Sequence, residues 1–395
     1  DGKSTTVYLI HQLLECFGKT SGFLSTVQYK TGDILIKNPF RQSTPEAPEV
    51  HAILKEMADN KKEYAVIEAT SHGLSEKNNR LGDVHFCAGV FTNISHEHLE
   101  FHGTFRQYLN DKANLFRYLD KIPSNRQPFG VVNRDDPNAS FFYQATQQPV
   151  YSYSTCDSSA DLYAYDIHPW VTGNSFRIKY NKKDIKARIN LPGIFNVENT
   201  LAAVLTVIKL LGVSIGDTAG FLPALQPVSG RMKTVDCGQD FTVIIDYAHT
   251  PGAFSKLFPG IRPQVKGRLI AVFGSAGERD IEKRSLLGRI ADRYSDIIIL
   301  ADEDPRGEDS KEILKQIASG CTTKEDGKTL FLIPDRLAAI KQALAFARTG
   351  DMVLLLGKGH EASIIYKDGP RPWDELSAAT VCLEKLKIVR CNAGI

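Results

Sequence analysis

The sequence has no excess of either charge: Lys and Arg number 48 against 46 Asp and Glu, a formal net charge of +2. So even a balance sets up no field to hold a nucleic acid or an anionic membrane surface, and neither is expected as a partner. No apolar run approaches the ~20 residues that a membrane-crossing helix needs, and no signal peptide is visible. Cysteine is sparse. The 7 cysteines (Cys16, Cys87, Cys156, Cys237, Cys321, Cys382 and Cys391) are scattered, and no two form a C-x-x-C pair. That excludes a disulfide framework and a structural zinc site, leaving reduced thiols in a cytoplasmic protein. Repeats and low-complexity tracts are also absent. What remains is an ordinary globular composition, 42% hydrophobic and 24% charged, over 395 residues, long enough for two or three domains with full cores.

Short apolar runs alternate with amphipathic stretches. "YAVIEA" (64–69), "AGVFTNI" (88–94) and "FGVVN" (129–133) read as buried strands, and "PEVHAILKEMADN" and "TFRQYLNDKANLFRYL" as helices. This alternation predicts an α/β domain with a mainly parallel sheet. A β-rich patch follows at about 150–190, where "SFRIKYNKKDIKARINL" alternates with period 2. After "ALQPVSGRMKTVDC" the pattern restarts with "FTVIIDY" (241–247), "RLIAVFG" (268–274), "DIIILAD" (296–302), "TLFLIP" (329–334) and "DMVLLLG" (351–357). These predict a second, doubly wound Rossmann-like domain, with domains at 1–227 and 228–395.

The chain opens on "DGKSTTVYLIHQLLECFG". Gly2, Lys3 and Ser4 match the last positions of a G-x-x-x-x-G-K-[ST] phosphate loop, in which backbone N–H groups face the phosphates, the lysine offsets their charge and the hydroxyl meets Mg²⁺. The helix from Thr5 would add its N-terminal dipole. A plain N-cap by Ser4 or Thr5 explains the same residues. Two other stretches favour the phosphate site. "VIEATSHGL" sets Glu68 at the end of a buried strand, where α/β folds collect ligand groups. "FTNISHEHLEFHG" sets His96, His98 and His102 beyond the next strand, so Glu68 and His98 form a candidate cation site beside a nucleotide. Taken singly, each histidine reads as structural.

"GKSTT", "STPEAP", "EATSHGL", "FTNISHEHLEFHGT", "DKANLF", "LPGIFNVENTLAA", "SGRM", "DYAHTP", "FGSAGERD", "EDPRGED" and "GKGHE" occur in the order seen in Mur ligases, and the chain most closely resembles the MurE type from residue 1 to about 375. The resemblance implies a P-loop NTPase-like ATP-binding central domain and a C-terminal domain that binds the incoming amino acid. It also implies an N-terminal domain for the uridine end of the substrate and the front half of the phosphate loop, neither of which is among these residues. The chain is therefore expected to bind its substrates poorly as it stands. The implied reaction is ATP-dependent amide formation on a UDP-muramoyl-dipeptide. A carboxylate is activated as an acyl phosphate, and the amine of a diamino acid displaces the phosphate. A cytoplasmic monomer with small-molecule substrates is implied as well.

By the same resemblance, Gly2, Lys3, Ser4 and Thr5 serve the phosphates and a first Mg²⁺, and Glu68 and His98 a second. Lys112 matches a lysine that the family carries as a carbamate, although by itself it reads as a solvated helix residue. Asn196 and Asn199 match adenine-side contacts, or cap a helix. Arg231 matches an arginine that reaches the phosphates when the domains close, and Asp246 a ribose- or phosphate-side carboxylate, with His249 nearby. Ser43, Thr44, Thr70, Ser71 and Arg80 match the muramoyl-dipeptide contacts.

For the added amino acid, the resemblance makes Arg306 and Arg279 candidates for a distal carboxylate and Gly357 and Glu361 for a distal ammonium, with Glu303 a further substrate-binding candidate in the run that carries Arg306. Asp304 stands where relatives that use meso-diaminopimelate have Asn, and a free anion there would favour a cationic side chain. Lysine and ornithine therefore compete with meso-diaminopimelate, which the two arginines favour. Folylpolyglutamate synthetase-like ligases share the phosphate loop and the modified lysine, and an inactive nucleotide-binding regulator would keep the fold. "STPEAP" and "GKGHE" speak against the former, and the retained Lys3, Glu68, His98, Lys112 and Arg231 against the latter.

Overall fold

A computed structural model describes residues 1–40, 42–94, 99–122 and 127–393, with backbone alone at 99–100 and 387–393. The chain divides into two compact units, Asp1–Pro169 with Gly173–Gln226, and Trp170–Thr172 with Pro227–Ile395.

The first unit begins with α1 (Lys3–Cys16), β1 (Ser21–Leu24), β2 (Gln28–Lys30), β3 (Ile36–Lys37), α2 (Ala47–Asp59) and β4 (Tyr64–Ile67). It continues through α3 (Ser71–Leu74), β5 (Ala88–Phe91), α4 (Leu99–His102), α5 (Phe105–Leu119), β6 (Phe129–Asn133) and α6 (Ala139–Tyr143). β7 (Val150–Ser154), β8 (Leu162–Trp170), β9 (Gly173–Tyr180) and β10 (Lys183–Ile189) follow, and α7 (Phe195–Leu211) and α8 (Ile215–Phe221) close it. Local chemistry sets the helix ends. Glu46 and Glu49 form a reciprocal capping box on α2, the Thr104 hydroxyl accepts the Gln107 N–H at the start of α5, and α7 stops at Gly212, whose φ of 68° suits a residue without Cβ.

The strands form two sheets, ordered β3-β2-β1-β4 and β10-β9-β8-β7-β6-β5. β1 and β4 run parallel, as do β5 through β8, whereas β9 and β10 pair antiparallel. The expected mainly parallel sheet is thus present in two pieces. The facing edges of β4 and β5 border a cavity of about 1140 Å³, also lined by α1, α5 and α7. α7 is buried almost all round and packs Val197, Leu201 and Val204 against Leu9 and Leu13 of α1, an apolar helix at the centre of the unit.

The second unit comprises β11 (Lys233–Val235), β12 (Thr242–Asp246), α9 (Pro251–Ile261), β13 (Leu269–Phe273), α10 (Glu282–Tyr294), β14 (Ile297–Leu300) and α11 (Ser310–Ala318). It ends with β15 (Leu330–Leu332), α12 (Arg336–Phe346), β16 (Met352–Leu356), β17 (Ser363–Tyr366), β18 (Gly369–Pro372) and α13 (Glu375–Ala393). The sheet order is β11-β12-β16-β13-β14-β15, parallel throughout except at the β11 edge. β13, β14 and β16 are apolar at nearly every position because helices cover both faces of a doubly wound sheet.

One buried ion pair ties this sheet to its last helix. Arg336 and Glu375 are both fully buried, with Nη2 and Oε1 2.6 Å apart. Arg336 also donates to the carbonyls of Asp302 and Leu356, and Glu375 accepts from Trp373 Nε1, so both charges are fully partnered. Breaking such a pair from one side strands a charge. Arg336→Met should therefore lower stability by ~3–5 kcal/mol, whereas Arg336→Met with Glu375→Leu should recover most of the loss. Urea unfolding followed by circular dichroism checks this. A single variant as stable as the parent would show that the pair does not hold the helix.

Candidate active site

α1 starts on Gly2, whose φ is 77°, and the Asn199 Oδ1 lies 2.1 Å from where a Cβ would stand. Only glycine fits there. The first turn then presents its free N–H groups, as an anion site requires. Ser4 in that turn donates to Glu68 Oε2 at 2.7 Å. Glu68, buried just past β4, takes two further donors from the loop after β1: the Thr26 N–H on Oε2 at 2.8 Å and the Thr26 hydroxyl on Oε1 at 2.9 Å. A hydroxyl and a carboxylate are hard oxygen donors, and Mg²⁺ typically takes one or two such groups with phosphate and water oxygens completing its shell. The pair fits an ion of that kind. Among the described residues, no group of three or more His, Cys, Asp or Glu side chains could hold a metal unaided.

Lys3, Glu68 and Lys112 line the same cavity beside Thr92 and Asn93, and Lys112 Nζ lies 4.9 Å from the Tyr108 ring centre. His96 and His98 lie outside the described residues. His102 is described and buried: its Nδ1 lies 2.6 Å from Asp111 Oδ2 and its Nε2 3.0 Å from the Ser71 hydroxyl. This chain anchors α5, which carries Lys112, to the turn after β4.

Thr44 makes a second knot there. Its hydroxyl donates to the Glu68 carbonyl at 2.9 Å and accepts from the Thr70 N–H at 3.0 Å and the Thr70 hydroxyl at 2.9 Å. Arg80 is buried against Glu46 at 2.7 Å and donates to the Thr44 carbonyl at 2.9 Å, so it braces this segment from behind. Ser43 adjoins the knot and is half-buried. Asn196 and Asn199 face each other in the first turn of α7, Asn199 Nδ2 donating to Asn196 Oδ1 at 3.1 Å.

In the second unit, Asp246 spends both oxygens on backbone N–H groups, of Met232 at 2.8 Å and Ala248 at 2.7 Å. Burial pushes its carboxyl pKa up, against the pull of Arg231. It fixes the turn carrying Arg231, whose Cζ stands 4.5 Å from the Tyr247 ring centre. His249 Nδ1 donates to the Tyr247 carbonyl at 2.7 Å.

Asp304 is not the free anion expected of it. Its Oδ1 accepts the fully buried Lys358 ammonium at 2.8 Å and the Ile365 N–H at 2.9 Å, and Lys358 also pairs with Glu361. Beside it, Glu303 Oε2 and Arg306 Nε are buried without a hydrogen-bond partner among the described residues. Glu303 Oε2 would stand 3.1 Å from a Cβ on Gly357, and Arg306 holds φ at 54°. Arg306 also borders an open pocket of about 460 Å³ with Lys367 and Arg371. Arg279 is exposed. Sequence reasoning missed Thr26, Tyr247 and Lys358 as members of these clusters. The last two sit inside "DYAHTP" and "GKGHE", where a closer look could have found them, but nothing marks Thr26.

The family described as Mur ligase middle domain matches residues 1–207, and that described as Mur ligase, glutamate ligase domain, matches 230–359. A Treponema denticola protein named UDP-N-acetylmuramyl-tripeptide synthetase is 51% identical over 96% of this chain and 74% of its own length. A Borreliella burgdorferi protein of the same name is 49% identical over 98% and 76%. A Geobacillus kaustophilus protein named UDP-N-acetylmuramoyl-L-alanyl-D-glutamate--2,6-diaminopimelate ligase is 36% identical over 98% and 77%. A solved structure titled with that last activity superposes with a TM-score of 0.68 at 28% identity, covering 98% of this chain and 77% of that one.

The Thr44 knot is open to test. Thr44→Val leaves buried polar groups of Glu68 and Thr70 unpaired, a loss of ~1–3 kcal/mol, or about 2–4 °C in melting temperature per kcal/mol. Thr44→Ser keeps the hydroxyl and should recover most of it. Calorimetry that finds Thr44→Val as stable as the parent would remove the knot from the account.

Proposed function

The chain belongs to the Mur ligase family, and from that premise we propose that it is a MurE-type ligase adding a diamino acid to UDP-N-acetylmuramoyl-L-alanyl-D-glutamate, a step in peptidoglycan precursor synthesis. The observation that carries this reading is the Ser4–Glu68 contact at the N-terminus of α1, because it joins a phosphate-binding helix to a carboxylate at a strand end. In this reading the D-glutamyl carboxylate attacks the γ-phosphorus of ATP, the bond to the ADP oxygen breaks, and an acyl phosphate forms. The amine of the diamino acid adds to the acyl carbon, gives up a proton and expels phosphate.

The chain's own groups meet the demands of that chemistry. The N–H groups of Gly2 to Thr5 and the Lys3 ammonium offset phosphate charge, and Gly2, at a φ of 77° with no Cβ to meet Asn199, opens the turn that presents them. Asn196 and Asn199, bonded to each other, are the adenine-side contacts in this reading. Magnesium, when bound, would sit on Ser4 and Glu68 and supply charge neutralisation, with a second ion taken by Glu68, His98 and Lys112 in carbamate form. Ser43 and Thr70 lie on the segment assigned to the dipeptide, and Thr44, Ser71 and Arg80, buried with their polar groups bonded inside the protein, hold that segment in shape. Arg231 is the cation assigned to the phosphates from the second unit, with Asp246 and His249 ordering its surroundings.

For the diamino acid, the unpartnered Glu303 Oε2 and the Glu361 carboxylate suit an ammonium, and the unpartnered Arg306 Nε suits a carboxylate. Gly357 leaves room beside Glu303, and Arg279 is a second, exposed cation for the same carboxylate. A cytoplasmic setting accords with these nucleotide substrates. No helix of the described residues is long and apolar enough to cross a membrane.

Phosphate release from ATP tests the reading, with the UDP-muramoyl-dipeptide supplied together with meso-diaminopimelate, lysine or ornithine. Release should require both the dipeptide and one of the three diamino acids. Release that is indifferent to the dipeptide, or that depends on a folate instead, would overturn it. Arg306→Ala should raise KM for the diamino acid far more than KM for ATP, and an unchanged amino-acid KM would remove Arg306 from the pocket.

A further inference from the structure

We propose that Tyr247 is a positioning residue that links the diamino-acid pocket to the phosphate arginine, an inference that rests on the roles given above to Glu361 and Arg231. Tyr247 follows Asp246 at the end of β12 and uses both of its chemical features at once. Its ring face carries the Arg231 guanidinium, with Cζ 4.5 Å from the centroid. Its hydroxyl donates to Glu361 Oε1 at 3.1 Å. Glu361 Oε2 in turn pairs with Lys358, and Lys358 with Asp304. A continuous path of side chains therefore runs from the pocket carboxylates to the arginine.

The surroundings leave the ring little freedom. Gly359 packs so closely that a Cβ there would come within 2.7 Å of Tyr247 Cβ. The rings of His249 and His360 lie against the tyrosine with centroids 4.5 and 4.8 Å away. Backbone on the arginine side is held as firmly. Met232, next to Arg231, sits at a φ of 47° with its N–H on Asp246, and a Cβ on Gly230 would meet the His360 nitrogen at 2.3 Å. A planar guanidinium is well suited to lie on an aromatic face, and the Tyr247 ring supplies that surface for Arg231. The phenol stays a donor across the working pH range, because burial, and then the Glu361 carboxylate beside it, push its pKa far above the ordinary value.

The hydroxyl and the ring are separable. Tyr247→Phe keeps the shelf and removes the bond to Glu361. It should raise KM for the diamino acid about tenfold, the worth of one hydrogen bond to a carboxylate, and leave KM for ATP in place. Tyr247→Leu removes both features and should also lower kcat, because Arg231 loses its support. In a double-mutant cycle, Tyr247→Phe combined with Glu361→Gln should be no worse in amino-acid KM than Glu361→Gln alone. If Glu361→Gln raises that KM while Tyr247→Phe does nothing, or if the two effects simply add, the link is wrong and the pocket stands. If neither Glu361→Gln nor Arg231→Ala changes the kinetics, the functional reading fails and takes the link with it. Tyr247→Phe is the decisive variant, since it deletes a single oxygen from an otherwise unchanged packing.

Discussion

The hydrogen bond from Ser4 to Glu68 is the constraint around which the first unit is organised. It ties the start of a helix, where free N–H groups and a dipole favour an anion, to the end of a strand carrying a buried carboxylate. Each side is held independently. Thr26 grips both oxygens of Glu68, Thr44 holds the Glu68 carbonyl, and Asn199 leaves space at Gly2 for glycine alone. Shifting α1 by one turn would carry Lys3 and Ser4 away from the carboxylate and expose the buried face that α1 shares with α7. The site is thus over-determined by packing as well as by its polar contacts.

The second unit solves a different problem, crowding several carboxylates near one another without leaving them to repel. Lys358 lies between Asp304 and Glu361, Arg336 takes Glu375, and Asp246 is satisfied by two backbone N–H groups. Among the described residues, Glu303 Oε2 and Arg306 Nε are buried without a hydrogen-bond partner against that background, as is Arg284 Nε. A buried polar atom without a partner is an exception in native interiors, and a ligand, a water or a catalytic role can account for it. Compensation of Asp304 also changes the argument about selectivity, because the net charge that a substrate meets is that of the cluster rather than of one aspartate.

Much of this was legible in the sequence, for physical reasons that also explain the rest. Strands such as 269–273 and 352–356 are covered on both faces, so burial writes itself into them as unbroken apolar runs, while the alternation at 173–189 marks strands with one wet face. Short polar strands such as 28–30 and 36–37 carry no such signature. The division of the first unit's strands between two sheets was hidden as well, since pairing of edges is a long-range matter. At the site, Gly2, Lys3, Ser4 and Glu68 were visible as types in position. The partnership of Asp304 with Lys358 was not, because 54 positions separate them and either could have faced solvent. Asp246 illustrates an ambiguity of chemistry, because a carboxylate at a strand end can receive a ligand or receive the backbone. His98, the other half of the expected cation site, lies outside the described residues.

The central claim is that Ser4 and Glu68 together form the cation end of a nucleotide site. Manganese(II) titration followed by electron paramagnetic resonance, with ADP present, reads that property without any turnover. Glu68→Gln preserves size and removes the charge. The account predicts that it weakens nucleotide-dependent manganese binding by about tenfold or more while the fold remains intact by circular dichroism. Manganese held equally well by the glutamine variant and the parent would contradict it.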